Sequence, residues 1–220
     1  MRAWMVGALG ALLTGSCLAI EEPRFELLSK DGAYELRRYA AFIVAETMVE
    51  GDMDAASNQG FRLIADFIFG NNQTAGGAKA PDKIAMTAPV TVEPAAKSEK
   101  ISMTAPVTVE AEGNATERMA NARRWRVHFV MPSQYTLSTL PKPNNSAVSI
   151  REVPARTFAV LVYSGFNTES RVQQRVDELT AWAQARNLQP LGAAQLARYD
   201  PPWTLPMWRR NEVMVEVRQP

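Results

Sequence analysis

Glu35 to Gly51 reads ELRRYAAFIVAETMVEG, and Ser149 to Gly165 reads SIREVPARTFAVLVYSG. The two stretches align without a gap. Arg37 stands over Arg151, Ala41 over Ala155, Ala45 over Ala159 and Gly51 over Gly165, with Leu36 over Ile150 and Val44 over Phe158. Each copy predicts a strand, a tight corner and a second strand rich in β-branched and aromatic residues.

The segments after the two copies also match. Asp52 to Phe69 predicts a helix, with Asp52 or Asp54 as its cap and Ala56, Phe61, Ile64, Ala65 and Ile68 at helical spacing. Gly70-Asn71-Asn72 ends it. In the second half Thr168 or Ser170 caps a helix running to about Asn187, whose apolar face is Val172, Val176, Leu179, Trp182 and Ala183. Further strands are expected at Ile84 to Val92, Trp125 to Met131, Ala197 to Tyr199 and Glu212 to Val217. No linker rich in Ser, Gly or charge separates the halves. Two strand-strand-helix-strand repeats therefore predict one α+β domain: a distorted, pseudo-symmetric β-barrel with two flanking helices, spanning residues 20–220.

A second, shorter repeat lies within the first half. Lys83 to Glu93, KIAMTAPVTVE, recurs as KISMTAPVTVE from Lys100 to Glu110, with ten of eleven positions identical. Pro89 and Pro106 each remove a ladder donor, so each strand is expected at an edge or bent there. Pro94 to Glu99 could turn the pair into a hairpin.

The first 19 residues read as a secretory signal: Arg2, a short apolar run from Trp4 to Leu13, then small residues. The run is shorter than the roughly 20 apolar residues a spanning helix needs, and no later stretch is long enough either. Two readings of its end stand: a cut after Ala19, or a lipobox at Thr14-Gly15-Ser16-Cys17 with Cys17 acylated. The expected location is outside the cytosol, in the periplasm or cell envelope if the source is bacterial and secreted otherwise. Cys17 is the only cysteine, so the mature domain offers no disulfide, thiolate nucleophile or Cys-ligated metal. The formal charge of +1 leaves no basic surplus for phosphate contacts, which argues against a nucleic-acid partner. His128 is the only histidine. No Ser–His–Asp or Cys–His set, zinc-spaced cluster or phosphate-cradling Gly loop is readable, so a binding protein is expected rather than an enzyme.

The motifs together resemble those of the SOUL haem-binding protein family. They are Tyr34-Glu35-Leu36-Arg37-Arg38-Tyr39, Gly60-Phe61-Arg62 with Ile68-Phe69-Gly70-Asn71, Ile84-Ala85-Met86-Thr87-Ala88-Pro89-Val90, Phe129-Val130-Met131-Pro132, Tyr199-Asp200-Pro201-Pro202 and Arg209-Arg210-Asn211-Glu212. The resemblance implies a duplicated barrel with two helices and an apolar cleft for haem or another tetrapyrrole beside the first helix. Walls are expected from Phe61, Ile64, Phe67 and Ile68 on that helix and from Met86 and Met103 on the doubled segment. Gln59 and Thr204 stand where animal members carry propionate-binding cations, and Arg62, one turn beyond Gln59, takes that role in this reading. Arg209 and Arg210 are further candidates, or partners of Glu212. Any His-ligated iron must use His128, although members hold haem without strong axial ligation. The expected function is an exported haem or tetrapyrrole carrier, buffer or scavenger. The alternatives are a module for another apolar small molecule and an envelope protein-interaction module.

The signal has a direct consequence. Intact-mass analysis of the native protein should find an N-terminus at Ile20 or an acylated Cys17; a native chain beginning at Met1 would contradict it.

Overall fold

A computed structural model describes residues 21–74, 83–84, 86–94, 119, 122–201 and 203–219. The signal segment with Cys17, the second Met-Thr-Ala-Pro-Val copy with Met103, and Pro202 lie outside the described residues.

In chain order the elements are β1 (Phe25–Asp31), β2 (Tyr34–Tyr39), β3 (Phe42–Glu50), α1 (Met53–Ile68), β4 (Asn72–Gln73), β5 (Val90–Pro94), β6 (Arg124–Val130), β7 (Lys142–Pro143), β8 (Ser149–Val153), β9 (Arg156–Tyr163), α2 (Glu169–Gln184), β10 (Gln189–Pro190), β11 (Gln195–Arg198) and β12 (Asn211–Arg218). Ten strands form one antiparallel sheet in the order β1-β2-β9-β12-β11-β5-β6-β3-β8, with β10 added on β12. Leaving β1 aside, the order is the same read outward from the middle in either direction: β11-β12-β9-β2 one way, β5-β6-β3-β8 the other.

The duplication holds to the level of register. β2 and β9 pair with Leu36 opposite Ala159 and Arg37 opposite Phe158. β3 and β8 pair with Ala45 opposite Ile150 and Val44 opposite Arg151. The offset that carries Glu35 to Ser149 turns one set of pairs into the other. The first strand of each repeat thus pairs with the second strand of the other repeat and not with the second strand of its own.

The corners explain this exchange. Two-residue hairpins need φ > 0 at one or both turn residues, which favours Gly or Asn. The β2–β3 corner is Ala40-Ala41 and the β8–β9 corner is Pro154-Ala155; Asn187 is the one described non-glycine residue at positive φ. Neither corner can close a hairpin. By contrast Gly32, at φ 60, turns β1 onto β2. The ladder is open, but each two-residue corner brings strands from near its opposite ends together, since two residues span little. At one corner the rings of Tyr39 and Phe42 meet at 6.4 Å. The sheet is curled rather than closed by hydrogen bonds.

Both helices pack on one face. Asp52 caps α1 by accepting the Ala55 N–H at 2.7 Å, and Thr168 caps α2 by accepting from Arg171. α1 buries Met53, Ala56, Ile64, Phe67 and Ile68, and α2 buries Val172, Leu179, Trp182 and Ala183, in one cluster with Val127, Phe129, Leu161 and Val213 from the sheet. α2 stops at Gln184, short of the predicted Asn187, because Asn187 adopts φ 58 and Leu188 N–H returns to the Ala183 carbonyl. The strand expected from Ile84 begins only at Val90, after Pro89. Before it, the Ile84 N–H is taken by the carbonyl of Ile68, and the Thr87 hydroxyl donates to that of Val130.

Gly60 sets how closely α1 sits on the sheet. A Cβ there would lie 2.6 Å from the Val127 Cβ. Gly60→Ala should therefore destabilise the fold, because overpacking costs about 1–3 kcal/mol and Val127 is held by the ladder. Alanine's gain in helix propensity, about 1 kcal/mol, offsets only part of that. Denaturant midpoints should fall for Gly60→Ala, and a double-mutant cycle with Val127→Gly, which removes the Cβ that alanine would meet, should show the two changes coupled.

Candidate functional site

Along α1 the residues split by face. Ile64 and Phe67 are fully buried against the sheet. Phe61 is 39 % exposed, its ring 5.6 Å from that of Phe129. Arg62 is exposed beside it and makes no ion pair among the described residues. Met86 is half-buried on the segment leading to β5. With Gly60 seated on Val127, no planar ligand fits between α1 and β6 at that level. A ligand meeting Ile64 or Phe67 would have to displace their sheet contacts, whereas Phe61 and Arg62 can meet one as they stand.

His128 lies elsewhere. Alternation along β6 sends Trp125, Val127 and Phe129 to the helix face and His128 to the other. That second face is buried with neither α1 nor α2 over it: Val44, Val160 and Ala197 have no exposure, and Arg37 almost none. It carries two charged lattices. In the first, fully buried Glu212 accepts from Arg37 at 2.9 and 3.1 Å, from Arg210 at 2.8 and 3.0 Å and from the Tyr199 hydroxyl at 2.9 Å. Burial acts against Arg37 ionising, but Glu212 outweighs it and raises its pKa above the ordinary arginine value. Arg210 is thus a structural partner of Glu212, and Arg209 donates its Nε to the Thr204 carbonyl at 2.7 Å. In the second lattice Arg151 pairs with Glu46 at 2.8 Å and Arg126 with Glu93 at 2.7 Å.

His128 sits directly opposite Glu46 and Thr91 in the ladder, and its Nδ1 has no hydrogen-bond partner among the described residues. Burial lowers its pKa; Glu93 and Glu46 pull the other way without reversing this. No group of three or more His, Cys, Asp or Glu side chains among the described residues could hold a metal.

Two features were missed in the sequence. A cavity of about 560 Å³ opens at the β2–β3 corner, lined by Phe42, Ile43, Met131, Tyr135 and Leu137 with the carboxylates of Glu21, Glu22 and Glu152. None of the α1 residues named above lines it. Separately, Trp203, Leu205, Met207 and Trp208 stand exposed between β11 and β12. Only the tryptophan-rich composition of that loop signalled the second feature; the first is assembled from segments far apart in the chain.

The buried histidine generates a pH dependence. Its folded pKa lies below the unfolded value of about 6.5, so below that pH the unfolded chain binds the proton that the folded chain refuses. Stability is complete above the unfolded pKa and falls as pH drops through this window. Glu46 adds to the loss only at lower pH: burial raises its pKa, but Arg151 more than compensates, holding it below 4.5. His128→Gln should flatten the stability profile between pH 7 and about 5 in denaturant titrations and leave the acid limb in place.

Comparison with known proteins agrees with this architecture. The family model described as SOUL heme-binding protein matches residues 20–98 and 93–216, which together span nearly the whole chain. No functionally curated protein matches the chain. Among solved structures, the EcmrR C-terminal domain superposes with a TM-score of 0.56 at 12 % identity, covering 85 % of this chain and 98 % of that one. A protein from Listeria innocua described as a hydrolase gives 0.52 at 12 % identity, covering 87 % and 94 %. At such identity these likenesses concern the fold alone. This match over nearly the whole chain shows that it belongs to the SOUL haem-binding protein family.

Proposed function

We propose that this protein is an exported carrier, buffer or scavenger of haem or a related tetrapyrrole, held on the outward side of α1. The observation that carries the reading is the pair Phe61 and Arg62: a half-exposed aromatic ring beside an exposed guanidinium with no ion pair among the described residues, within a chain of the haem-binding family. Phe61 would stack on the macrocycle and Arg62 would take a propionate, with Met86 as a soft neighbour and Ile64 and Phe67 as the packed backing. The same chemistry argues against the corner cavity, whose lining sets three carboxylates, Glu21, Glu22 and Glu152, against the single cation Arg24. It also argues against His128 as an axial ligand, because that side chain faces away from α1. The tetrapyrrole is cargo, and no reaction is assigned to it.

A second reading keeps the fold and changes the ligand. Gln59 and Thr204 in place of cations favour a less acidic apolar molecule, for which the corner cavity offers room.

Haem titration of the purified protein, followed at the Soret band, separates these readings. Arg62→Glu removes a charge-assisted bond worth about 1.5–3 kcal/mol and adds repulsion, so affinity should fall roughly tenfold or more. His128→Ala should have a smaller effect. Circular dichroism checks that both variants stay folded. If His128→Ala abolishes the Soret shift while Arg62→Glu binds as wild type, the iron is held by the strand. If the wild type shows no saturable binding, the second reading replaces the first.

A further inference from the structure

Trp203 is 82 % exposed and Trp208 72 %. Leu205, Met207 and Phe166 are each at least half exposed. These side chains belong to one projection. The Gly165 N–H donates to the Pro206 carbonyl at 2.8 Å, and the Arg209 guanidinium lies over the Phe166 ring at 5.9 Å. Pro206–Trp208 forms a single 3-10 turn, braced by Trp208 N–H on the Leu205 carbonyl and Arg209 Nε on the Thr204 carbonyl. The loop is therefore held in shape by its own backbone while presenting its apolar side chains outward. A soluble surface does not expose large apolar groups in this density without an occupant.

Glu22, near the start of the described residues, lies at the base of this loop. Arg210 holds Glu22 through two contacts of 3.0 and 3.1 Å. Cys17 is five residues upstream of Glu22, so an acyl group on it would start no more than about 18 Å away. A lipid-modified terminus and the tryptophan loop would then meet one plane. Tryptophan suits that plane, with an apolar ring and an N–H that stays wet. Arg209 at the loop's base and Arg171, whose guanidinium lies beside Gly165, supply cations for anionic headgroups. Of the carboxylates at this end, Glu22 is paired with Arg210, while Asp200 accepts the Arg210 backbone N–H at 2.6 Å and keeps its charge.

We infer that the Trp203–Trp208 loop is a membrane-insertion element that seats this end of the protein in the interface of an anionic bilayer. The inference rests on the exported reading, with Cys17 as the companion anchor, and its test reads the loop directly. The mature full chain is mixed with phosphatidylglycerol–phosphatidylcholine vesicles whose acyl chains carry bromine, and tryptophan emission is followed. Trp125 and Trp182 are buried and give the unquenched baseline. Emission should be quenched and blue-shifted. Replacing both Trp203→Ser and Trp208→Ser should remove the quenching and weaken vesicle co-sedimentation by about tenfold or more. The Trp203→Phe and Trp208→Phe pair should remove quenching while keeping most of the binding. Unchanged emission with brominated vesicles, or Ser variants that bind vesicles as wild type, would overturn the inference. Ser variants that lose the Soret shift but keep vesicle binding would make the loop a wall of the ligand site instead. Loss of a concentration-dependent dimer, without any vesicle quenching, would assign the patch to a second copy. Failure of haem binding alone leaves the quenching result standing, so the two readings fail separately.

Discussion

The structure depends on two corners that cannot turn back on themselves. Ala40-Ala41 and Pro154-Ala155 have no residue suited to positive φ, so neither β2 nor β8 can form a tight hairpin with the next strand in the chain. Each must find its hydrogen bonds in the other repeat. β2 does so on β9, and β8 does so on β3, in the same register. This mutual exchange makes the halves inseparable: removing either would leave a strand of the other with an unpaired edge. It also forces the curl, because strands consecutive in the chain lie near opposite ends of the ladder.

The curl has an energetic consequence on the face turned away from the helices. Arg37 and Glu212 are enclosed there and could not stay ionised unpaired, since burying a lone charge is far costlier than burying a hydrogen-bonded pair. Glu212 meets the requirement with five hydrogen bonds from three side chains. Those three side chains come from β2, from the end of β11 and from the start of β12, so the lattice ties both ends of the chain to one point. Arg210 extends the tie through Glu22 to the N-terminal segment. Placing the ions on this face leaves the helix face without buried charge, with α1 and α2 docked by side-chain packing and the close approach at Gly60.

The ligand reading rests on that division of labour. α1 turns Ile64 and Phe67 inward and leaves Phe61 and Arg62 outward. A binding surface on the outer side of a rigidly seated helix gains precision from its backing without exposing the core. The aromatic loop between β11 and β12 lies at the end of the sheet where Arg198 reaches Asp54 at the start of α1, and where Glu169 of α2 accepts the Met53 N–H. Events at the loop and at α1 therefore share a rigid end of the molecule.

The repeat, both helices with their caps, and the main strands were legible in the sequence, because hydrophobic period and capping residues are local signals. The ungapped match of the stretch at Glu35 with that at Ser149 is itself the mark of the duplication. β1 was not legible: only Leu28 of its residues is even partly buried, so no alternation marks it, and it exists as a strand because Gly32 turns it onto β2. The amphipathic pattern of α1 grouped Phe61 with Ile64 and Phe67, yet a period of 3.6 residues cannot say which edge of an apolar stripe stays open. Closeness at Gly60 decided that. Sequence likewise placed His128 on a strand opposite its neighbours, but which face the helices would cover depended on how the repeats exchange strands. Local residue chemistry determined the elements and their duplication; the meeting of segments more than a hundred residues apart, which has no local signature, decided the faces, the buried charges and the exposed loop.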